Sequence, residues 1–306
     1  MEIIIMENLE KPSSKIIGLI GIGLVGTSLA INLIAHDYKV IGFDINEKQM
    51  KNFEKIGGML ANSPADIAEK TDVIVFSLLT SDIVLDVIRG KKGILSANKY
   101  PTTIIDTTTA DPIKTDKIYS ILLENNIDYL DATISGSSVQ IKEREGTFMV
   151  GGNKSVYERH GDIFSAVAKE TIYVGSSGTG ARAKLAVNLV VGLNRWALAE
   201  ALVFAQAIGL DLQKTLEIFT KTQAYSSILD AKGEKMINND FTTQSRIRQH
   251  RKDVSLMIKM AQKENLQLQL SAQHLQLLDN MIKNGDGDLD VSSVIKAVRN
   301  YGLGNR

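Results

Sequence analysis

A chain of 306 residues, 44% of them apolar, is long enough for two ordinary domains and too apolar to be disordered throughout. Its 35 Lys and Arg balance 35 Asp and Glu, which argues against a dedicated binder of nucleic acid or of an anionic membrane surface. The absence of cysteine excludes thiol catalysis, disulfides and cysteine-ligated zinc, and is compatible with a cytoplasmic location.

Residues 1–14 carry Glu2, Glu7 and Glu10 and lack the basic start and apolar core of a signal peptide, so a flexible lead-in is expected there. No apolar run reaches the roughly 18 residues needed to cross a bilayer without polar breaks. From Lys15 to about Gly175, short runs rich in Ile and Val alternate with amphipathic stretches. They predict strands at 16–20, 40–43, 73–78, 103–106, 129–132, 147–150 and 171–174. Ser63-Pro64 and Asp111-Pro112 each set a capping side chain before a proline that suits the first helical position. After Gly178 no convincing strand is seen. A long helix is predicted over about 181–208, ended by Gly209, and Asp211 caps the next one. Further helices are predicted near 211–220, 251–264, 271–283 and 291–301. The leucines of 266–278 suit a packed or subunit-contact helix. The expected fold is an α/β Rossmann-type, doubly wound and mainly parallel sheet over 15–178. An all-α domain over 179–306 follows, joined to it by the long helix.

Gly21-Ile22-Gly23-Leu24-Val25-Gly26 follows an apolar strand and opens a helix, the context that gives G-x-G-x-x-G its meaning. The first glycine permits the turn, the second lets backbone approach a pyrophosphate, and the third lets helix and strand pack closely. The helix N-terminus then offers N–H groups to phosphate. A plain glycine turn is the bland alternative. Asp44 ends the next strand, where an acid can accept from both ribose hydroxyls and repel the 2′-phosphate of NADP; capping the next helix is the alternative. No arginine follows in Ile45-Asn46-Glu47, so NAD is expected and NADP is less favoured.

Lys184 and Asn188 lie one helical turn apart in an otherwise apolar run, so an amine and an amide share one sheltered face. A buried lysine is costly unless it is paired, neutral or working. No tyrosine has a lysine four residues later, no P-loop occurs, and His36, His160, His250 and His274 are scattered. Asp286-Gly287-Asp288-Leu289-Asp290 begins like a calcium loop but has Val291 and Ala297 where glycine and glutamate are needed, so it reads as a solvated turn and helix cap. No metal is expected.

These motifs fall into one order: the Gly21–Gly26 turn, Asp106-Thr107-Thr108-Thr109, Asp131-Ala132-Thr133-Ile134-Ser135-Gly136-Ser137, the run from Gly178 to Asn188, and Lys252-Asp253-Val254. The series resembles the β-hydroxyacid dehydrogenase family, over nearly the whole chain after Lys15. The resemblance implies that Lys184 is the catalytic acid and base and that Asn188 positions the substrate. It implies that Ser135 and Gly136, with Ser137 beside them, bind the substrate's acid group. Leu78 and Thr109 would lie near the cofactor with Gly21, Ile22, Gly23, Leu24, Val25, Gly26 and Asp44. Lys252 would close over the cofactor region. Thr133, Ile134 and Ser137 depart from the family's proline, valine and glycine. The basic run Arg246 to Arg251 is either a receiver for an anionic substrate or a solvated face. The expected activity is hydride transfer between NAD and a small anionic 3-hydroxyacid or semialdehyde, in a homodimer or homotetramer. A sulfonate or imine reductase of the same fold, or a non-catalytic cofactor-binding scaffold, is the alternative.

Overall fold

The computed structural model describes residues 15–302, and the lead-in expected over 1–14 lies outside the described residues. Eight strands form one sheet: β1 (Ile16–Ile20), β2 (Lys39–Phe43), β3 (Met59–Leu60), β4 (Val73–Phe76), β5 (Thr103–Asp106), β6 (Asp128–Ser135), β7 (Thr147–Gly152) and β8 (Glu170–Gly175). Their order is β3-β2-β1-β4-β5-β6-β7-β8, and every neighbouring pair is parallel except β6 and β7. The link from β6 to β7 holds only a short helix, Ser138–Lys142, too little chain for a crossover, so β7 returns antiparallel. The strand β3 has no counterpart in the apolar pattern. It is two residues long, and both Met59 and Leu60 are exposed at the sheet edge.

Alternation along the strands feeds a core on each face. Ile17 and Leu19 of β1 pack with Leu29 and Leu33 of the helix Leu24–Ala35, whereas Ile20 joins Ile67, Ile74 and Phe76 on the other side. Ser63 accepts from Asp66 N–H and Asp111 accepts from Ile113 N–H, so both serve as caps before a proline at the helix start.

The connecting helix Thr179–Ala207 has 29 residues and spans about 44 Å at 1.5 Å per residue. By length and composition it could cross a bilayer. Here it packs against β6, β7 and β8 and against the helices Ile247–Lys263 and Val294–Gly302. Asp211 caps the helix Leu212–Thr220 through Lys214 N–H. The helix Ile247–Lys263 starts four residues before the expected 251, because Arg248 and Arg251 are helical and paired, with Asp288 and Asp279. Arg246 also lies 3.8 Å from Asp288, so the run is a solvated, ion-paired face, with Arg246 and Arg248 sharing one carboxylate. The turn Leu229–Gly233 and the short helix Glu234–Ile237 were not legible as elements. Asp290 is a cap, as expected, but it is not solvated. It is fully buried and receives Lys232 Nζ at 2.9 Å.

Candidate active site

The glycine turn meets the steric demands of its motif. Gly21 has φ +93°, and a Cβ there would lie 2.2 Å from Ser77 O; a Cβ on Gly26 would lie 2.0 Å from Gly21 O. A Cβ on Gly23 would meet nothing within 4 Å, so the space before the helix is open. Gly23 is also the N-cap of Leu24–Ala35 and brings no side chain to its first N–H groups. Open space and unclaimed donors at a helix N-terminus fit a pyrophosphate. Asp44 Oδ2 accepts from Ile22 N–H at 2.7 Å and Oδ1 from Asn46 N–H at 2.8 Å. The next helix is capped by Asn46 and not by Asp44. The carboxylate is thus braced beside the turn with lone pairs left for ribose hydroxyls.

Leu78 and Thr109 lie in the loops after β4 and β5. A Cβ on Gly21 would come within 3.0 Å of the Leu78 side chain, and Leu78 N–H donates to Thr108 Oγ1 at 3.2 Å. Lys252 arrives from the helical half and joins these loops. Its ammonium donates to Leu79 O at 2.9 Å and Thr109 O at 2.8 Å. It is a clamp between the halves, with its donors aimed at backbone carbonyls.

Lys184 sits in the second turn of the connecting helix and is 8% exposed. Among the described residues its amine has no hydrogen-bond or ion-pair partner. Burial pulls its pKa down from 10.5 to about 8, and the nearby Asp253 carboxylate opposes that fall. Asn188 donates to Asp253 Oδ2 at 3.0 Å. Lys252 Nζ lies 3.3 Å from Asp253 Oδ1, an ion pair without hydrogen-bond geometry, and that oxygen has no hydrogen-bond donor. Burial pushes the Asp253 carboxyl up, against the pull of Lys252 and Lys184. One carboxylate therefore joins the three residues that sequence reasoning singled out on two helices. Asp253 itself was missed. The signal was present: with Ile247, His250, Val254 and Met257 it keeps the spacing of a buried helix face.

Ser135 ends β6, and its hydroxyl takes no hydrogen bond from the described residues. Gly136 has φ +148° and is exposed. Ser137 also has a local structural part, which does not use its O–H proton. It caps Ser138–Lys142, accepting from Gln140 N–H at 3.3 Å while its own N–H donates to Gln140 Oε1 at 2.9 Å. Thr133 donates to Gly180 O at 2.9 Å, in the first turn of the connecting helix. Among the described residues no cluster of three or more His, Asp or Glu could hold a metal ion.

Two family profiles match this chain. One is described as the NAD binding domain of 6-phosphogluconate dehydrogenase and matches residues 16–175. The other is described as NAD-binding of NADP-dependent 3-hydroxyisobutyrate dehydrogenase and matches residues 178–298. A 2-(hydroxymethyl)glutarate dehydrogenase of Eubacterium barkeri is 33% identical over 92% of this chain and 93% of its own length. A 2-hydroxy-3-oxopropionate reductase of Escherichia coli (strain K12) is 30% identical over 92% and 96%. A crystal structure of 3-hydroxyisobutyrate dehydrogenase from Salmonella typhimurium shares the fold, with TM-score 0.84 and 23% identity over 92% of this chain and 99% of that one.

Proposed function

The chain belongs to the β-hydroxyacid dehydrogenase family and is an NAD(P)-dependent oxidoreductase, and on that premise we propose that Lys184 is its general acid and base and a small anionic 3-hydroxyacid or semialdehyde its substrate. The observation that carries this reading is the buried Lys184 amine, which has no hydrogen-bond or ion-pair partner among the described residues and whose pKa burial lowers to about 8. A general acid or base works best when its pKa lies near the operating pH. Both named relatives act on hydroxylated carboxylic acids, which supports an acid substrate.

When bound at the glycine turn, the nicotinamide cofactor supplies or accepts the hydride. In the oxidising direction neutral Lys184 Nζ accepts the substrate's hydroxyl proton. In the reducing direction its ammonium returns a proton to that oxygen. Ser135 Oγ and Gly136 N–H take the substrate's carboxylate. Asn188, held by Asp253, orients the reacting end. Asp44 favours NAD, since its charge opposes a 2′-phosphate.

A panel of 3-hydroxyacids and semialdehydes, followed by NADH absorbance, tests the substrate class, with Lys184→Ala as the control. Oxidation should rise and reduction should fall as pH passes through about 8, because the first needs the amine and the second the ammonium. A Lys184→Ala enzyme that kept more than about a tenth of wild-type kcat would remove the proton-transfer role.

We divide the chain near Gly178 into a dinucleotide-binding domain and a helical domain, and place it in the cytoplasm as a homodimer or homotetramer. Val190, Phe204, Ile208 and Leu210, on and just beyond the connecting helix, are all more than half exposed, which supports a subunit contact. Light scattering at micromolar concentration that found only a 33.5 kDa species would refute it.

A further inference from the structure

Asp131, Thr133 and Ser135 occupy alternate positions of β6, so their side chains share one face of the strand. The connecting helix begins beside that face and lacks a local cap. Gly178 stands at its N-cap with φ 85° and offers no side chain. Asp131 replaces the cap from a distant strand. Its Oδ1 accepts from Gly178 N–H at 2.8 Å and its Oδ2 from Ala181 N–H at 2.8 Å. The carboxylate is 1% exposed and sits at the positive end of a 29-residue helix, where a negative charge is favoured.

Two residues along the strand, the Thr133 hydroxyl donates to Gly180 O at 2.9 Å. A Cβ on Gly180 would lie 2.1 Å from Asp131 O and 2.7 Å from Met149 O, so strand and helix meet more closely than any residue but glycine permits. Thr133 stands where the resembling family pattern has proline, which has no side-chain hydroxyl to offer. This chain therefore carries a strand-to-helix tie that the pattern does not supply.

We propose that Asp131 and Thr133 are positioning residues, which fix the first turn of the connecting helix on β6 and thereby hold Lys184, in the second turn, in register with Ser135 and Gly136 at the end of the same strand. The proposal rests on Lys184 as the proton-transfer group. Asp131 supplies the anchor. Thr133 sets the fine register, because one hydroxyl-to-carbonyl contact limits how far the turn can slide along the strand.

The test compares Thr133→Val, Thr133→Ser and Asp131→Asn with wild type and with Lys184→Ala. Small misplacement of a catalytic group costs rate steeply, so Thr133→Val should lower kcat by roughly three- to tenfold and Asp131→Asn by about tenfold or more, with KM for the cofactor little changed. The limb of the pH–rate profile near 8 should move upward in Thr133→Val, since a loosened turn lets water reach Lys184. Thr133→Ser restores the hydroxyl and should restore both kcat and the limb. If Asp131→Asn fails to fold, the Thr133 pair decides alone. A Thr133→Val enzyme with wild-type kcat and an unmoved pH limb overturns the proposal, and so does a Thr133→Ser enzyme no better than Thr133→Val. An active Lys184→Ala enzyme overturns the general-acid reading and this proposal together. An inactive one, beside an unaffected Thr133→Val, overturns this proposal alone.

Discussion

In the α/β half, the turn from Gly21 to Gly26 presents backbone. It offers N–H groups, an open space beside Gly23 and one braced carboxylate, Asp44. In the helical half, the seam between the connecting helix and Ile247–Lys263 presents ionisable side chains in a dry place. Lys184, Arg195, His250 and Asp253 are all buried. His274 joins them, 5.1 Å from His250 and stacked on Trp196. Burial takes the His250 pKa well down and that of His274 to about 4, so both rings are neutral at pH 7. Arg195 Nε and His250 Nε2 have no hydrogen-bond partner among the described residues. The contrast separates two tasks. Backbone donors cannot titrate, so they suit a phosphate that must be held at any pH. Desolvated side chains have movable pKa values, so they suit proton transfer, at a cost in stability.

Lys184→Met breaks that contrast most sharply, since it should change chemistry and stability in opposite directions. Loss of a general acid/base should lower kcat by roughly 10²–10⁴-fold. Stability at neutral pH should rise. The folded pKa near 8 lies below the ordinary 10.5, so at pH 7 the fold carries a penalty on the order of 3 kcal/mol. That penalty is full below about pH 8 and is relieved as pH climbs toward 10.5. Urea unfolding of both proteins at pH 7 and pH 10 should therefore show the gain shrinking with pH. A variant less stable than wild type at pH 7 would show that the amine is structural.

Lys232→Met is the next largest effect and should run the other way. It leaves Asp290 fully buried without its ammonium, and breaking a buried pair costs about 3–5 kcal/mol. Thermal melting should report the loss. An unchanged melting temperature would mean that Gln244, Ser245 and Ser292, whose N–H groups also reach Asp290, suffice to hold it.

Gly26→Ala tests the backbone-built side. The new Cβ would sit 2.0 Å from Gly21 O, so the turn must open and NADH affinity should fall at least about tenfold, roughly 1.4 kcal/mol. Fluorescence titration measures it, and the pH limb near 8 should not move in the residual activity. Asp44→Ala is the smallest effect expected. The ratio of kcat/KM for NAD over NADP should narrow as the repelling charge is removed. A wild-type enzyme that already favours NADP would refute the assignment of Asp44. The NADP-dependent enzyme named in one matching profile makes that measurement informative.

The sequence by itself determined the strand-and-helix order, the glycine turn, the proline-led helix starts and the Lys184–Asn188 face. Each of these is written in local residue types and spacing: Ile and Val runs for buried strands, glycine and proline at turns and helix starts, and a four-residue step along the helix for Lys184 and Asn188. Only tertiary structure decided that β7 runs antiparallel, that β3 exists, that Ser137 caps a short helix and that Arg248 and Arg251 pair with Asp288 and Asp279. It also decided the parts of Asp131, Thr133 and Asp253. Their partners are 47 to 65 residues away, at Gly178, Ala181, Gly180 and Asn188. A carboxylate that caps a helix from another strand leaves no mark in the residues next to it. Its role follows from which backbone N–H groups the fold brings within 2.8 Å, and that distance is set by packing of the whole chain.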